Sequence, residues 1–180
     1  MTRILKIWAA LACVVCVSGC QSYAADDDTM GTTSRIVNTV ENIPVTSVRF
    51  NGNPIDRTGG STCCVDVPQT WHPGMTATIE WEVDAHPEYN LGGAKAPPGN
   101  SPNYEEWYNI HKSQYIHHSA VVPIARFTSV TELSVVFLPC NQVAAIWGKE
   151  EYDRVFLNWH GDLYEAIKQR LGAKKSCPKS

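Results

Sequence analysis

Read from Ile36 onward, the chain is a series of short alternating runs separated by turn residues. Ile36-Val37 and Val45 to Phe50 alternate, and Asn51-Gly52-Asn53-Pro54 is a turn signal. Thr62 to Val67 reads as another strand, with Cys63, Val65 and Val67 on one side and Pro68 ending it. Met75 to Val83 alternates most cleanly, which puts Met75, Ala77, Ile79, Trp81 and Val83 inward and the threonines and glutamates outward. Pro73-Gly74 sets a turn ahead of it, so residues 61 to 83 are expected to form a hairpin. Strict alternation implies one solvated face, which favours antiparallel sheet. The stretch from Asp84 to Tyr104 is rich in proline and glycine and lacks apolar periodicity, so it reads as a long loop. Strands resume at Ser119 to Phe127, Glu132 to Leu138 and Gln142 to Trp147.

The period then changes. Tyr152, Phe156, Trp159, Leu163, Ile167 and Leu171 recur at steps of three and four, which predicts an amphipathic helix over about 149–171 ending near Gly172. Gly161 weakens the centre of that helix by about 1 kcal/mol relative to alanine. The expected fold is therefore mainly β: a small antiparallel β-sandwich-like domain, residues 36–175, with a C-terminal amphipathic helix laid against it.

The first twenty residues follow a different logic. Arg3 and Lys6 precede an apolar stretch, Ile7 to Val17, that closes on Ser18 and Gly19, the layout of a secretory signal peptide over residues 1–19. The stretch is roughly half of the ~20 apolar residues that a spanning helix needs. Val17-Ser18-Gly19-Cys20 resembles the lipobox of bacterial lipoproteins. That resemblance implies cleavage between Gly19 and Cys20, covalent lipid on Cys20, and attachment to an envelope membrane facing the periplasm. Gln21, where aspartate would favour the inner membrane in such proteins, points to the outer membrane. Residues 20–35 are polar and contain Asp26-Asp27-Asp28, which reads as a lipidated tether.

Charge narrows the partners. The 180-residue chain has 15 basic and 18 acidic residues; losing Arg3 and Lys6 with the signal leaves 13 against 18, or −5. No basic footprint for nucleic acid exists. With Cys13 and Cys16 removed and Cys20 lipidated, the remaining cysteines are Cys63, Cys64, Cys140 and Cys177. An even number in an oxidising compartment makes them disulfide candidates. Neighbouring strand residues point to opposite faces, so one of Cys63-Cys64 is expected to join Cys140 and the other Cys177.

Three phrases stand in order: Gly59-Gly60-Ser61-Thr62-Cys63-Cys64-Val65, then Trp71-His72-Pro73-Gly74, then Val136-Phe137-Leu138-Pro139-Cys140, with Val121-Val122-Pro123 between the second and third. Over residues 43 to 147 they resemble a family of uncharacterised proteobacterial lipoproteins known only as a domain of unknown function. Val136 stands where that family usually has histidine, and residues 148 to 180 form a tail that lies outside its pattern. The resemblance implies an immunity protein, because members often sit beside type VI secretion genes for phospholipase effectors.

The side chains offer little catalysis. No His-Glu-x-x-His and no Gly-x-Ser-x-Gly occurs, and no positioned triad is indicated, so the expectation is a protein without enzymatic activity or cofactor beyond the lipid on Cys20. His111, His117 and His118 are weak metal candidates, since His117 and His118 in a strand would face opposite ways. A protein-binding module explains more. Glu88, Tyr89, Tyr104, Glu105, Glu106 and Trp107 gather in and beside the long loop as partner-binding candidates. Aromatics are enriched in interfaces, and acidic neighbours steer a basic partner. The alternatives are a structural or assembly lipoprotein of the envelope, and a metal-binding protein using the three histidines.

Overall fold

Alternation over Met75–Val83 becomes one strand of a two-sheet architecture in the computed structural model, which describes residues 28–55, 62–174 and 176–177. The signal peptide, Gly19, Cys20, the first half of the expected tether and the Gly59-Gly60-Ser61 entry lie outside the described residues. In chain order the elements are β1 (Thr29–Asn38), β2 (Val45–Phe50), β3 (Asn53–Ile55), β4 (Thr62–Pro68), β5 (Thr76–Val83), α1 (Tyr104–Lys112), β6 (Ile116–Pro123), β7 (Val130–Leu138), β8 (Gln142–Gly148), α2 (Lys149–Phe156) and α3 (Leu163–Arg170). One sheet has the order β4-β1-β7-β8 and the other β3-β2-β5-β6. The mainly β, sandwich-like expectation holds.

Between the sheets, the inward positions expected of β5 are buried: Ala77, Ile79, Trp81 and Val83. They pack with Phe50, Val65, Val67, Leu133, Val135 and Trp147 in one apolar core. A second core lies on the outer face of the β4-β1-β7-β8 sheet, where Val136, Leu138 and Ile146 meet Val155, Phe156 and Ile167 of the helices. β7 is thus buried on both faces, and its C-terminal half reads as an unbroken apolar run for that reason. The other sheet has no helix over its outer face among the described residues.

Five expectations need correction. The tether gives way to β1 from Thr29, which pairs antiparallel with β4 and parallel with β7. Its polar composition hid it, because its stability comes from neighbours on both sides. Ser34 is buried, and Arg35 bonds Ser134 and Glu132 while its guanidinium lies 4.4 Å from the Phe156 ring centroid. The expected 61–83 hairpin is also absent: β4 and β5 belong to different sheets, so Gln69–Met75 crosses between them. The strand expected at Ser119 starts earlier, at Ile116, and ends at Pro123. The single helix over 149–171 is two, because Asn158 and Gly161 take positive φ (52° and 78°) and Asp162 caps α3 by accepting from the Glu165 N–H. Arg170 then donates to the Val155, Leu157 and Asn158 carbonyls and fastens the end of α2.

The fifth correction is the cysteine pairing. Cys140 joins Cys177 with Cα atoms 5.0 Å apart, and Cys63 joins Cys64. Register explains why the cross-pairing fails. β1 lies between β4 and β7, pairing Ser34 with Thr62 and Asn38 with Phe137. Two strand spacings of about 4.8 Å and at least ~13 Å along β1 separate Cys63 from Cys140, beyond the ~7 Å a disulfide allows.

Candidate functional site

The loop between β5 and β6 is where chemistry-bearing side chains collect. β5 delivers Asp84 at its end, buried, and Asp84 Oδ1 accepts from the His86 N–H at 3.0 Å to start the loop. Residues 104–112 then fold as α1, with Glu105 and Glu106 in the first turn and His111 and Lys112 in the last, complementing the helix dipole. Tyr104, Trp107, Tyr108 and His111 share one face of α1 at i, i+3, i+4 and i+7. Tyr104 stacks on Tyr108, and Trp107 stacks on His111 with centroids 4.4 Å apart.

His111 is the centre of this assembly. Its imidazole is buried, with Nε2 2.9 Å from Asp84 Oδ2 and Nδ1 3.0 Å from Asn90 Oδ1. Asn90 is buried too, and its amide donates to the Trp107 carbonyl. The Trp107 indole donates to the Ala94 carbonyl at 3.0 Å, and Gln114 Oε1 accepts from the Leu91 N–H at 2.7 Å. The loop also bonds itself, Ala96 N–H to the Glu88 carbonyl and Asn90 N–H to the Ala94 carbonyl. A segment that looks irregular in sequence is therefore held in one shape by polar bonds gathered around the buried His111.

That geometry assigns roles. Both ring nitrogens of His111 are taken up inside the protein, so neither reaches a substrate. Trp107 and Tyr104 are half-buried parts of the scaffold. Of the partner-binding candidates, Glu88, Tyr89, Glu105 and Glu106 are exposed. The structure adds three that sequence reasoning missed: Leu91, 67 % exposed, and Ile110 and Ile116, about half exposed. Only Leu91 had a signal in the sequence, as an isolated apolar residue before Gly92-Gly93 in a polar loop.

The histidines do not form a cluster. His117 and His118 face opposite sides of β6, as strand geometry requires. His117 points outward to Glu82, 3.2 Å away, while His118 stacks on the buried Trp81. His111 is on α1, bonded elsewhere. Among the described residues no group of three or more His, Cys, Asp or Glu side chains is placed to hold a metal ion, and His111, His117 and His118 are not brought together. Burial, and then the neighbouring His117, hold the His118 imidazole below its ordinary value of 6.5. No described helix is long and apolar enough to cross a membrane.

The site has a fixed place in the fold. β1 begins where β4 ends, Thr29 pairing with Pro68, and the short Gln69–Met75 crossing leads to the start of β5. The loop leaves the other end of β5, eight residues or about 23 Å on. The chain's entry into the domain and the 84–115 surface are therefore at opposite ends of the sandwich.

Residues 32–145 match the family model described as a protein of unknown function, DUF3304, and the chain belongs to that family. The match runs from β1 to β8 and takes in the whole loop and α1, leaving α2 and α3 outside it. No match to the chain was found among curated proteins or among solved structures.

Proposed function

We propose that this member of a family without an assigned activity is a lipid-anchored periplasmic protein-binding module, without catalytic activity of its own. The observation that carries the proposal is the 84–115 surface. A buried Asp84–His111–Asn90 node fixes it, while Tyr89, Leu91, Ile110 and Ile116 stay exposed beside Glu88, Glu105 and Glu106. Because the hydrogen-bonded node already holds the loop, a partner would meet these side chains without first having to order them. Preorganised apolar and aromatic contacts rimmed by acidic charge suit a protein partner with a basic, partly apolar face. In its most specific form the module is an immunity protein that occludes a type VI secretion phospholipase effector, the role that the sequence resemblance implies.

The anchor fits this use. Lipid on Cys20 leaves eight residues to Asp28, a reach of at most about 28 Å. The domain would stay close to the bilayer that a phospholipase attacks, at raised effective concentration, with the loop at the end away from the tether. Several acyl chains would make that attachment stable, whereas one gives only reversible binding.

The test is co-purification from cells that also express an adjacent phospholipase effector, scored together with survival. Wild-type protein is expected to bind and protect. Leu91→Glu, at an exposed position, is expected to bind and protect at least about tenfold less while shifting stability by under ~0.5 kcal/mol. Cys20→Ser is expected to leave the membrane fraction yet still bind in extracts. No complex with the wild-type chain defeats the immunity reading, and envelope defects on deletion without any effector would favour an assembly role instead.

A further inference from the structure

The four outer strands of the two sheets are not alike. β3 is three residues long and contains Pro54. β4 carries an irregular register opposite Thr32 and Ser34 and ends at Pro68. β8 is covered by α2, and its Ala145, Ile146 and Trp147 are buried. β6 also ends at a proline, Pro123, and has β8 of the other sheet beside it, but it has no bulge, no helix over it among the described residues and no proline before its last residue. It runs eight residues in unbroken register with β5, Thr76↔Pro123 through Val83↔Ile116, and among the described residues pairs with no other strand. Proteins ordinarily blunt an outer strand with bulges, proline, charge or cover, because an open one templates pairing.

Which backbone groups face outward follows from two bonds. The Ile124 N–H donates to the Met75 carbonyl, extending the β5–β6 ladder, so even-numbered residues of β6 bond toward β5. The Thr78 carbonyl accepts from the Asn51 N–H on the opposite side, so its cross-strand partner Val121 is turned away from β5. The N–H and C=O groups of His117, Ser119 and Val121 therefore all point to the open edge. Their side chains are exposed, Val121 by 67 %.

We propose that the β6 edge pairs antiparallel with the β6 edge of a second copy of this chain. A two-fold axis at Ser119 sets His117 opposite Val121 of the second copy, Ser119 opposite Ser119, and Val121 opposite His117. All three outward residues then exchange both bonds, six in total, and Pro123, which has no N–H, is not needed. The same register keeps the titratable His117 side chains apart and covers both exposed valines. Moving the axis to His117 would set two histidines face to face, and moving it to Val121 would bring Pro123 into the ladder and lose bonds. The complementarity of this edge with itself favours a second copy over a foreign strand. The edge is short against the roughly 20–30 residues per side of a stable interface, so pairing depends on concentration. It leaves the two 84–115 surfaces at opposite ends of the pair, and the assembly bivalent.

The test uses the full chain in its membrane. Ser119→Cys treated with a short bifunctional maleimide is expected to give a dimer-sized band, and the wild-type chain and Glu88→Cys are not. In detergent, the wild-type chain is expected to sediment as a concentration-dependent dimer. Ser119→Asp sets two carboxylates opposite each other at an exposed strand position and is expected to weaken self-association at least about tenfold. A missing Ser119→Cys dimer band, unchanged sedimentation of Ser119→Asp, or a cross-link only to a different protein would each overturn the proposal.

Discussion

Replacing Asp84 by alanine removes the carboxylate that faces His111 and leaves that ring buried with one partner. Asp84 and His111 are 7 % and 4 % exposed, so water does not readily take the lost place. Two bonds go at once, the 2.9 Å contact to His111 and the 3.0 Å bond from the His86 N–H. Hydrogen bonds to charged groups contribute about 1.5–3 kcal/mol each, and removing one member of a buried ionisable pair typically costs ~3–5 kcal/mol. We expect Asp84→Ala to lose about 3–5 kcal/mol in urea unfolding, with hydrogen exchange rising across residues 84–115 before the core strands respond. A cycle with His111→Ala separates the pair from the rest: the double variant should be less destabilised than the sum of the single ones by ~1.5–3 kcal/mol. Additivity within ~0.5 kcal/mol, or unchanged exchange in the loop, would mean that the node does not hold the loop.

Two further outcomes follow from other parts of the molecule. His118 is held below its ordinary value, so the folded state resists its protonation more than the unfolded chain does. The stability it contributes is complete above about 6.5 and is lost as pH falls from there through the lowered folded value; denaturation at a series of pH values should show this fall, and His118→Gln should flatten it. A slope identical in the variant would assign the fall to other groups. At Gly148 an added Cβ would stand 2.3 Å from the Phe127 Cβ, and Phe127 is buried. Gly148→Ala should therefore cost ~1–3 kcal/mol and lower the melting temperature, whereas a neutral effect would show that Phe127 moves freely.

How far the sequence could be read depends on where each segment finds its partners. β5 was legible because one of its faces is dry and the other wet, and that contrast is written as Met75–Val83 alternation. β1 was not. Its threonines, Ser34 and Arg35 are tolerated by β4, β7 and the α2 aromatics, which lie far away in sequence. The same limit applies to α1. Tyr104, Trp107 and Tyr108 supply three places of an apolar stripe, but His111 fills the fourth, so the period was masked by the residue that matters most. The candidates Tyr104 and Trp107 were found for the right property, aromatic bulk near an acidic loop. Only the fold showed that their rings serve the scaffold while Tyr89 and Leu91 stand outside it.

Local chemistry by itself determined the mainly β class, the inward face of β5, the loop that begins at Asp84 and the opposite faces of His117 and His118. Each of these depends on the periodicity of a single segment or the conformational preference of a few adjacent residues. Tertiary structure alone decided the β4-β1-β7-β8 order, the cysteine pairing, the breaking of the C-terminal helix into two packed pieces and the meeting of Asp84, Asn90 and His111. These are contacts between residues distant along the chain, and their free energy comes from burial that exists only once both sheets have closed on their core.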